Sequence, residues 1–175
     1  MKRDYIEFQD RSVALGYLIT FRCYGTWLHG DERGTVDRRF HNIFGSPKMA
    51  ANEAMRATNT RMLKGEPFVL DAEQRSIVAT SIDEVCRFRG YSLFASHVRT
   101  NHVHIATGNS DNPERMMDTF KAYATRALRK AGRLDSDAKA WSRHGSTRYL
   151  WTEEHIEMAV DYVLNGQGGE LPKFK

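Results

Sequence analysis

From Val13 to Arg22 the side chains alternate, with Val13, Leu15, Tyr17, Ile19 and Phe21 on one face and Ala14, Gly16, Leu18, Thr20 and Arg22 on the other. That period of two predicts a strand. A second strand is expected over Tyr91 to Val98, and a third follows at once in Asn101-His102-Val103-His104-Ile105. Between the first and second, Asp71 and Gln74 have capping-box spacing, and Ile77, Val78, Ile82 and Val85 recur at helical intervals up to Gly90. After the third strand, Asn112-Pro113 supplies a cap and a first-turn proline. Met116, Phe120, Ala124, Ala127 and Leu128 then mark one apolar helix face, ended by Gly132. Thr147 to Trp151 predicts a fourth strand, and Thr152-Glu153-Glu154 opens a last helix through Leu164 with Ile156, Val160 and Val163 as its buried stripe.

The order strand, helix, strand, strand, helix, strand predicts an α+β, ferredoxin-like (RRM-like) sandwich: an antiparallel sheet with helices packed on one face. The other face is left for a site or a partner. Two pieces stand outside this plan. The segment 26–69 is too long for a plain connection and reads as an insertion after the first strand, with a short helix expected from Pro47 to Leu63. The tail from Gly166 to Lys175, rich in glycine and charge, is expected to fray. The 175 residues fit one domain, large enough to bury a core without staples.

Two cysteines, Cys23 and Cys86, are too few for a disulfide framework or a metal knot and suit a reducing interior. No stretch approaches the roughly 18 apolar residues of a membrane span, and the charged start of the chain has no apolar run of a signal peptide behind it, so a cytoplasmic location and no membrane partner are expected. Lys and Arg number 26 against 22 Asp and Glu, a net charge of +4 that is compatible with a polyanionic partner without requiring one. Distribution is more informative. Lys121, Arg126, Arg129 and Lys130 follow one another along the second long helix, and Arg143 and Arg148 precede or enter the fourth strand. Exposed charge on a helix is ordinarily only solvation, but Tyr123, Trp141, Tyr149 and Trp151 are interleaved with these cations and offer rings on which unpaired bases can stack. The six cations are therefore candidate nucleic-acid contacts.

The most specific chemistry lies in the third strand. Alternation places His102 and His104 side by side on one face while Val103 and Ile105 enter the core. Paired imidazoles so placed can bind one divalent ion. On the last helix, Tyr162 lies about 120° from the buried stripe at 100° per residue, so it is no core residue. Asn165 and Gln167 follow it closely, and their amide oxygens can ligate a hard cation.

With Asn101-His102-Val103-His104 following a strand and preceding a basic helix that contains Phe120-Lys121-Ala122-Tyr123, and with Tyr162-Val163-Leu164-Asn165-Gly166-Gln167 behind it, the chain resembles the small single-tyrosine HUH transposases. These include insertion-sequence enzymes and their relatives associated with repetitive extragenic palindromes. Similarity spans roughly Leu15 to Gln167, apart from the insertion. Two positions depart from the pattern: Thr100 stands where a proline is usual, and the amide expected four residues after the tyrosine falls at Gly166. Either Gln167 or Asn165 could therefore supply the third ligand, and the longer Gln167 is preferred.

The resemblance implies that His102, His104 and an amide hold Mg²⁺ or Mn²⁺, and that Tyr162 attacks a phosphodiester of single-stranded or hairpin DNA to form a 5′-phosphotyrosine and a free 3′-hydroxyl. It implies a transposase-like strand cleavage and rejoining reaction. A homodimer is expected, since a symmetric pair of sites suits a reaction at two ends. Tyr123 is the competing nucleophile, although its neighbours suggest packing against the sheet; Tyr149 reads as cross-strand packing. Two other function classes fit the same elements. A non-catalytic single-stranded nucleic-acid-binding protein of this fold would use the histidines as base or phosphate contacts, and a metal-dependent hydrolase of small phosphate esters would need no tyrosine.

Overall fold

A computed structural model describes residues 13–32 and 50–167. Within them the chain runs β1 (Gly16–Cys23), α1 (Glu53–Arg61), α2 (Ala72–Arg89), β2 (Leu93–Val98), β3 (His102–Gly108), α3 (Pro113–Lys130), β4 (Trp141–Leu150) and α4 (Glu153–Asn165). The caps explain where the helices begin. Asp71 and Gln74 form a reciprocal capping box at α2, which Gly90 ends in the left-handed conformation at φ 69°. Asn112 caps α3 ahead of Pro113, and Thr152 caps α4.

The four strands form one antiparallel sheet in the order β2-β3-β1-β4, the ferredoxin-like arrangement. Register decides what each face carries. Ile19 pairs with Ile105 and Phe21 with Val103, and this face packs beneath α2 and α3 against Val78, Ile82, Val85, Met116, Phe120, Ala124 and Leu128. Full burial of a side chain such as Ile19, Phe21 or Phe120 contributes roughly 1.5–3 kcal/mol. The alternate residues, Leu18 opposite Ala106, Thr20 opposite His104 and Arg22 opposite His102, occupy the second face.

That second face is not left open. Helix α4 lies on it, with Ala159 and Val163 buried against Leu18, Ala95, Ala106 and Leu150. Alanine on both sides of this contact lets the helix backbone approach the sheet closely.

Several boundaries differ from the sequence expectation. β1 begins at Gly16 rather than Val13, and β4 begins six residues before Thr147. The added part of β4 lacks apolar alternation because it contains an irregularity: Phe21 pairs with Gly145, whereas Cys23, two residues on, pairs with Trp141. Gly145 is required there, since any Cβ would collide with the Thr20 carbonyl oxygen and the Met117 sulfur. The expected helix within the insertion is shorter, beginning at Glu53 behind an Asn52 cap, and none of its residues is buried. Residues 33–49 of the insertion, and the tail beyond Gln167, lie outside the described residues. Among those described, no helix is long and apolar enough to cross a membrane.

Candidate active site

β3 brings His102 and His104 to the face covered by α4, their rings 4.7 Å apart and steeply inclined. Each imidazole is held through Nδ1. Thr20 Oγ1, on the neighbouring strand, lies 2.7 Å from His104 Nδ1, and Asn101 Oδ1 lies 2.6 Å from His102 Nδ1. An amide oxygen only accepts, so Nδ1–H of His102 donates to Asn101 and its Nε2 keeps a lone pair. The same tautomer at His104 lets Nδ1–H donate to Thr20.

Burial drives both histidines toward the neutral form. His104, only 5 % exposed, titrates at about 4, lowered first by burial and then by the adjacent His102, with a contact to Gln167 opposing the shift. His102 is also lowered, chiefly by burial, while Gln167 again opposes and the cations Arg99 and Arg22 add to the lowering. The neutral imidazole, with a ring-nitrogen lone pair, is the form that ligates metal.

α4 brings the remaining groups. The Tyr162 ring meets the His104 ring edge-on, 5.3 Å between centroids, while its residue is 45 % exposed. Among the described residues the Tyr162 hydroxyl has no hydrogen-bond partner. Gln167 folds back so that its Nε2 donates to the Tyr162 carbonyl at 2.9 Å, which turns Oε1 toward His102 Nε2 at 3.4 Å. Asn165 points elsewhere, donating to Asp161 at 2.8 Å. The structure thus joins Gln167 to the histidines and leaves Asn165 apart. Tyrosine, histidines and amide all converge within one chain, so a second copy is not needed to complete the cluster.

Among the described residues, no group of three or more His, Cys, Asp or Glu side chains is placed to hold a metal. A cation at this position would therefore draw on an amide. The donor chemistry fits that use. With His102 Nδ1–H committed to Asn101 and the Gln167 amide nitrogen committed to Tyr162, two lone pairs face each other across 3.4 Å. Imidazole nitrogen and amide oxygen are donors that a divalent cation can share.

Of the six cations expected to contact DNA, Arg148 pairs with Leu18 and so belongs to the histidine face. Arg143 is exposed in the irregular part of β4. Arg126, Arg129 and Lys130 lie on α3, across the sheet from the histidines; Arg126 stacks over Tyr123 at 4.2 Å, and Arg129 donates to the carbonyls of Asp135 and Ala138. Lys121 stands apart from the other five. It is buried, and its ammonium donates to the carbonyls of Ser142, Arg143 and His144 at 3.0, 3.3 and 3.4 Å, bracing the irregular part of β4. Its apolar stem and helical position hid that role among the surface cations.

Tyr123 packs against the core beneath the other face, remote from the histidines. Tyr149 crosses to Tyr17 in an edge contact at 5.1 Å, as expected of cross-strand packing, and stacks on Trp151 at 5.8 Å. Sequence reasoning missed Thr20, Asn101 as the partner of His102, and His97. Alternation along β2 could have found His97, which pairs with His104 and presents Nδ1 3.0 Å from the Val163 carbonyl oxygen. Arg22 was assigned only to a strand face; its guanidinium stacks on Trp27 at 3.7 Å, beside His102 in the register.

No protein-family model and no curated protein matches the chain. Solved structures do. One is a REP-associated tyrosine transposase bound to a REP hairpin, with 12 % identity, a TM-score of 0.46, and 89 % of this chain and 69 % of that chain covered. Another is a candidate transposase from Deinococcus radiodurans R1, with 12 % identity, a TM-score of 0.45, and 97 % of this chain and 100 % of that chain covered.

Proposed function

We propose that the protein is a metal-dependent single-strand DNA endonuclease and strand transferase, transposase-like in chemistry, that works through a 5′-phosphotyrosine on Tyr162. The observation that carries this reading is the convergence of Tyr162 with His102, His104 and Gln167 on one face of the sheet. A nucleic-acid-binding module of the same fold has no need of a tyrosine against two lone-pair-bearing imidazoles, nor of an amide oxygen turned toward them.

His102 Nε2, His104 Nε2 and Gln167 Oε1 would hold Mg²⁺ or Mn²⁺, with water completing the shell. When bound, the ion supplies charge neutralisation at the scissile phosphate. The chain's own residues do the rest. Asn101 sets the His102 tautomer, Thr20 would accept from His104 Nδ1–H, and the Gln167 amide nitrogen, bonded to the tyrosine's own carbonyl, orients its oxygen. Tyr162 Oη attacks phosphorus in line, its proton passes to solvent, and the 3′ oxygen departs. A protonated phenol is a poor nucleophile, so the place of Tyr162 beside the proposed cation site matters. Attack on the phosphotyrosine by another 3′-hydroxyl rejoins strands without an external energy source. Single-stranded or hairpin DNA is the proposed partner, with Arg148 on the reacting face and Arg143 at its margin.

Incubation of a labelled hairpin oligonucleotide with Mn²⁺ tests the reading. The wild type is expected to cleave it, and His102→Ala and His104→Ala are expected to abolish cleavage while keeping most DNA affinity, which phosphate contacts elsewhere supply. Full cleavage by the double alanine variant would overturn the site.

A further inference from the structure

We infer that His97 is a positioning residue: from the sheet it latches the end of α4 and so sets the placement of Tyr162 against the histidines. This inference rests on the reading of Tyr162 as nucleophile, and deepens it.

The last carbonyls of a helix lack intrahelical partners. In α4 the Tyr162 carbonyl is satisfied by the Gly166 N–H and by the Gln167 side chain. The next carbonyl, that of Val163, receives its bond from outside the helix. A carbonyl oxygen only accepts, so His97 Nδ1–H donates to it across 3.0 Å. Histidine caps helix ends in this way, here from a neighbouring strand rather than from the helix itself.

Apolar packing alone holds this end of α4 weakly. Only Ala159 and Val163 of the helix are buried, against a small patch containing two alanines, with Ile156 and Val160 half-buried beside them and Leu164, next to Val163, exposed. Two contacts tie the last turn to the sheet: the hydrogen bond from His97 to Val163, and the edge-on ring contact of Tyr162 with His104. The first joins the residue next to Tyr162, and His97 itself pairs with His104, whose ring Tyr162 touches. One short path therefore connects strand, helix end and tyrosine ring. Without the latch, the helix end can lift while the body of the fold, packed on the other face, stays intact.

A displacement near 1 Å at a reacting group can lower a rate by about 100-fold. The full chain carrying His97→Ala is therefore expected to bind a hairpin oligonucleotide within about twofold of wild type yet to form the covalent adduct in single turnover about 100-fold more slowly. His97→Asn keeps a donor at the same distance from Cβ and should restore the rate. A second readout needs neither metal nor DNA: the nuclear Overhauser contact between the Tyr162 and His104 rings, present in the wild type, should vanish in His97→Ala and return in His97→Asn. Persistence of that contact in His97→Ala, or failure of His97→Asn to restore it in a folded protein, overturns the latch. If the contact follows the latch while the wild type forms no adduct, the latch stands and the proposed reaction falls.

Discussion

Replacing Thr20 with valine removes one hydroxyl and little volume, and it reaches the proposed metal site without touching a proposed ligand. Thr20 Oγ1 lies 2.7 Å from His104 Nδ1, and in the tautomer proposed for metal binding it accepts from Nδ1–H, which keeps the Nε2 lone pair on the side facing the proposed cation. With valine in its place, a buried N–H loses its partner, at about 1–3 kcal/mol to the fold if it stays unpaired. The imidazole can relieve this by moving the proton to Nε2. That exchange removes the donor. Loss of such an orienting contact typically weakens metal binding by about 10–100-fold, or about 1.4–2.8 kcal/mol. Titration calorimetry with Mn²⁺ on wild type, Thr20→Val and Thr20→Ser measures it. Valine is expected to weaken binding within that range, whereas serine, which keeps the hydroxyl, should bind like the wild type. Wild-type affinity in a folded Thr20→Val would refute the tautomer argument.

Three further outcomes follow from separate parts of the fold. Lys121→Met should lower stability by about 1–3 kcal/mol through the β4 carbonyls it leaves unbonded, while the slope of DNA affinity against salt stays unchanged; a shallower slope would mean that Lys121 meets phosphate after all. In the metal-free protein His104 titrates at about 4 when folded against 6.5 when free, so the unfolded chain binds the extra proton between these values and stability falls as pH drops through that window. The urea midpoint should fall more steeply there for wild type than for His104→Asn, and parallel profiles would contradict it. Because Tyr162 meets His104 of its own chain, mixing His102→Ala with Tyr162→Phe should form no adduct; restored adduct would show that α4 exchanges between copies.

Much of the fold was legible because local chemistry and tertiary position agree. The capping box at Asp71, the Asn112-Pro113 start and the alternation through Ile19 and Phe21 each predict an element that the structure contains. β4 was clipped because its first half is irregular: Lys121 and Gly145 hold residues that carry no apolar period, and that support comes from another helix. At the site, the spacing of His102 and His104 fixed a shared face, and the buried stripe of α4 left Tyr162 to one side. Gln167 was preferred to Asn165 for the reach of its longer side chain; the structure folds Gln167 back onto the Tyr162 carbonyl and bonds Asn165 to Asp161. The partners of Thr20 and His97 come from strand pairing and helix docking, whereas Asn101 bonds to its sequence neighbour His102. Charge was the weakest guide, since a helix that is basic all along its length does not say which face meets a ligand.

The central claim is that Tyr162 becomes covalently joined to DNA. Wild type and Tyr162→Phe are incubated with Mn²⁺ and a single-stranded hairpin oligonucleotide, and any protein–DNA adduct that survives denaturing electrophoresis is digested and its peptides mapped. The account predicts a downstream strand attached through its 5′-phosphate to the peptide containing Tyr162, and no adduct from Tyr162→Phe. Cleavage without any adduct, or an adduct on Tyr123, would contradict it.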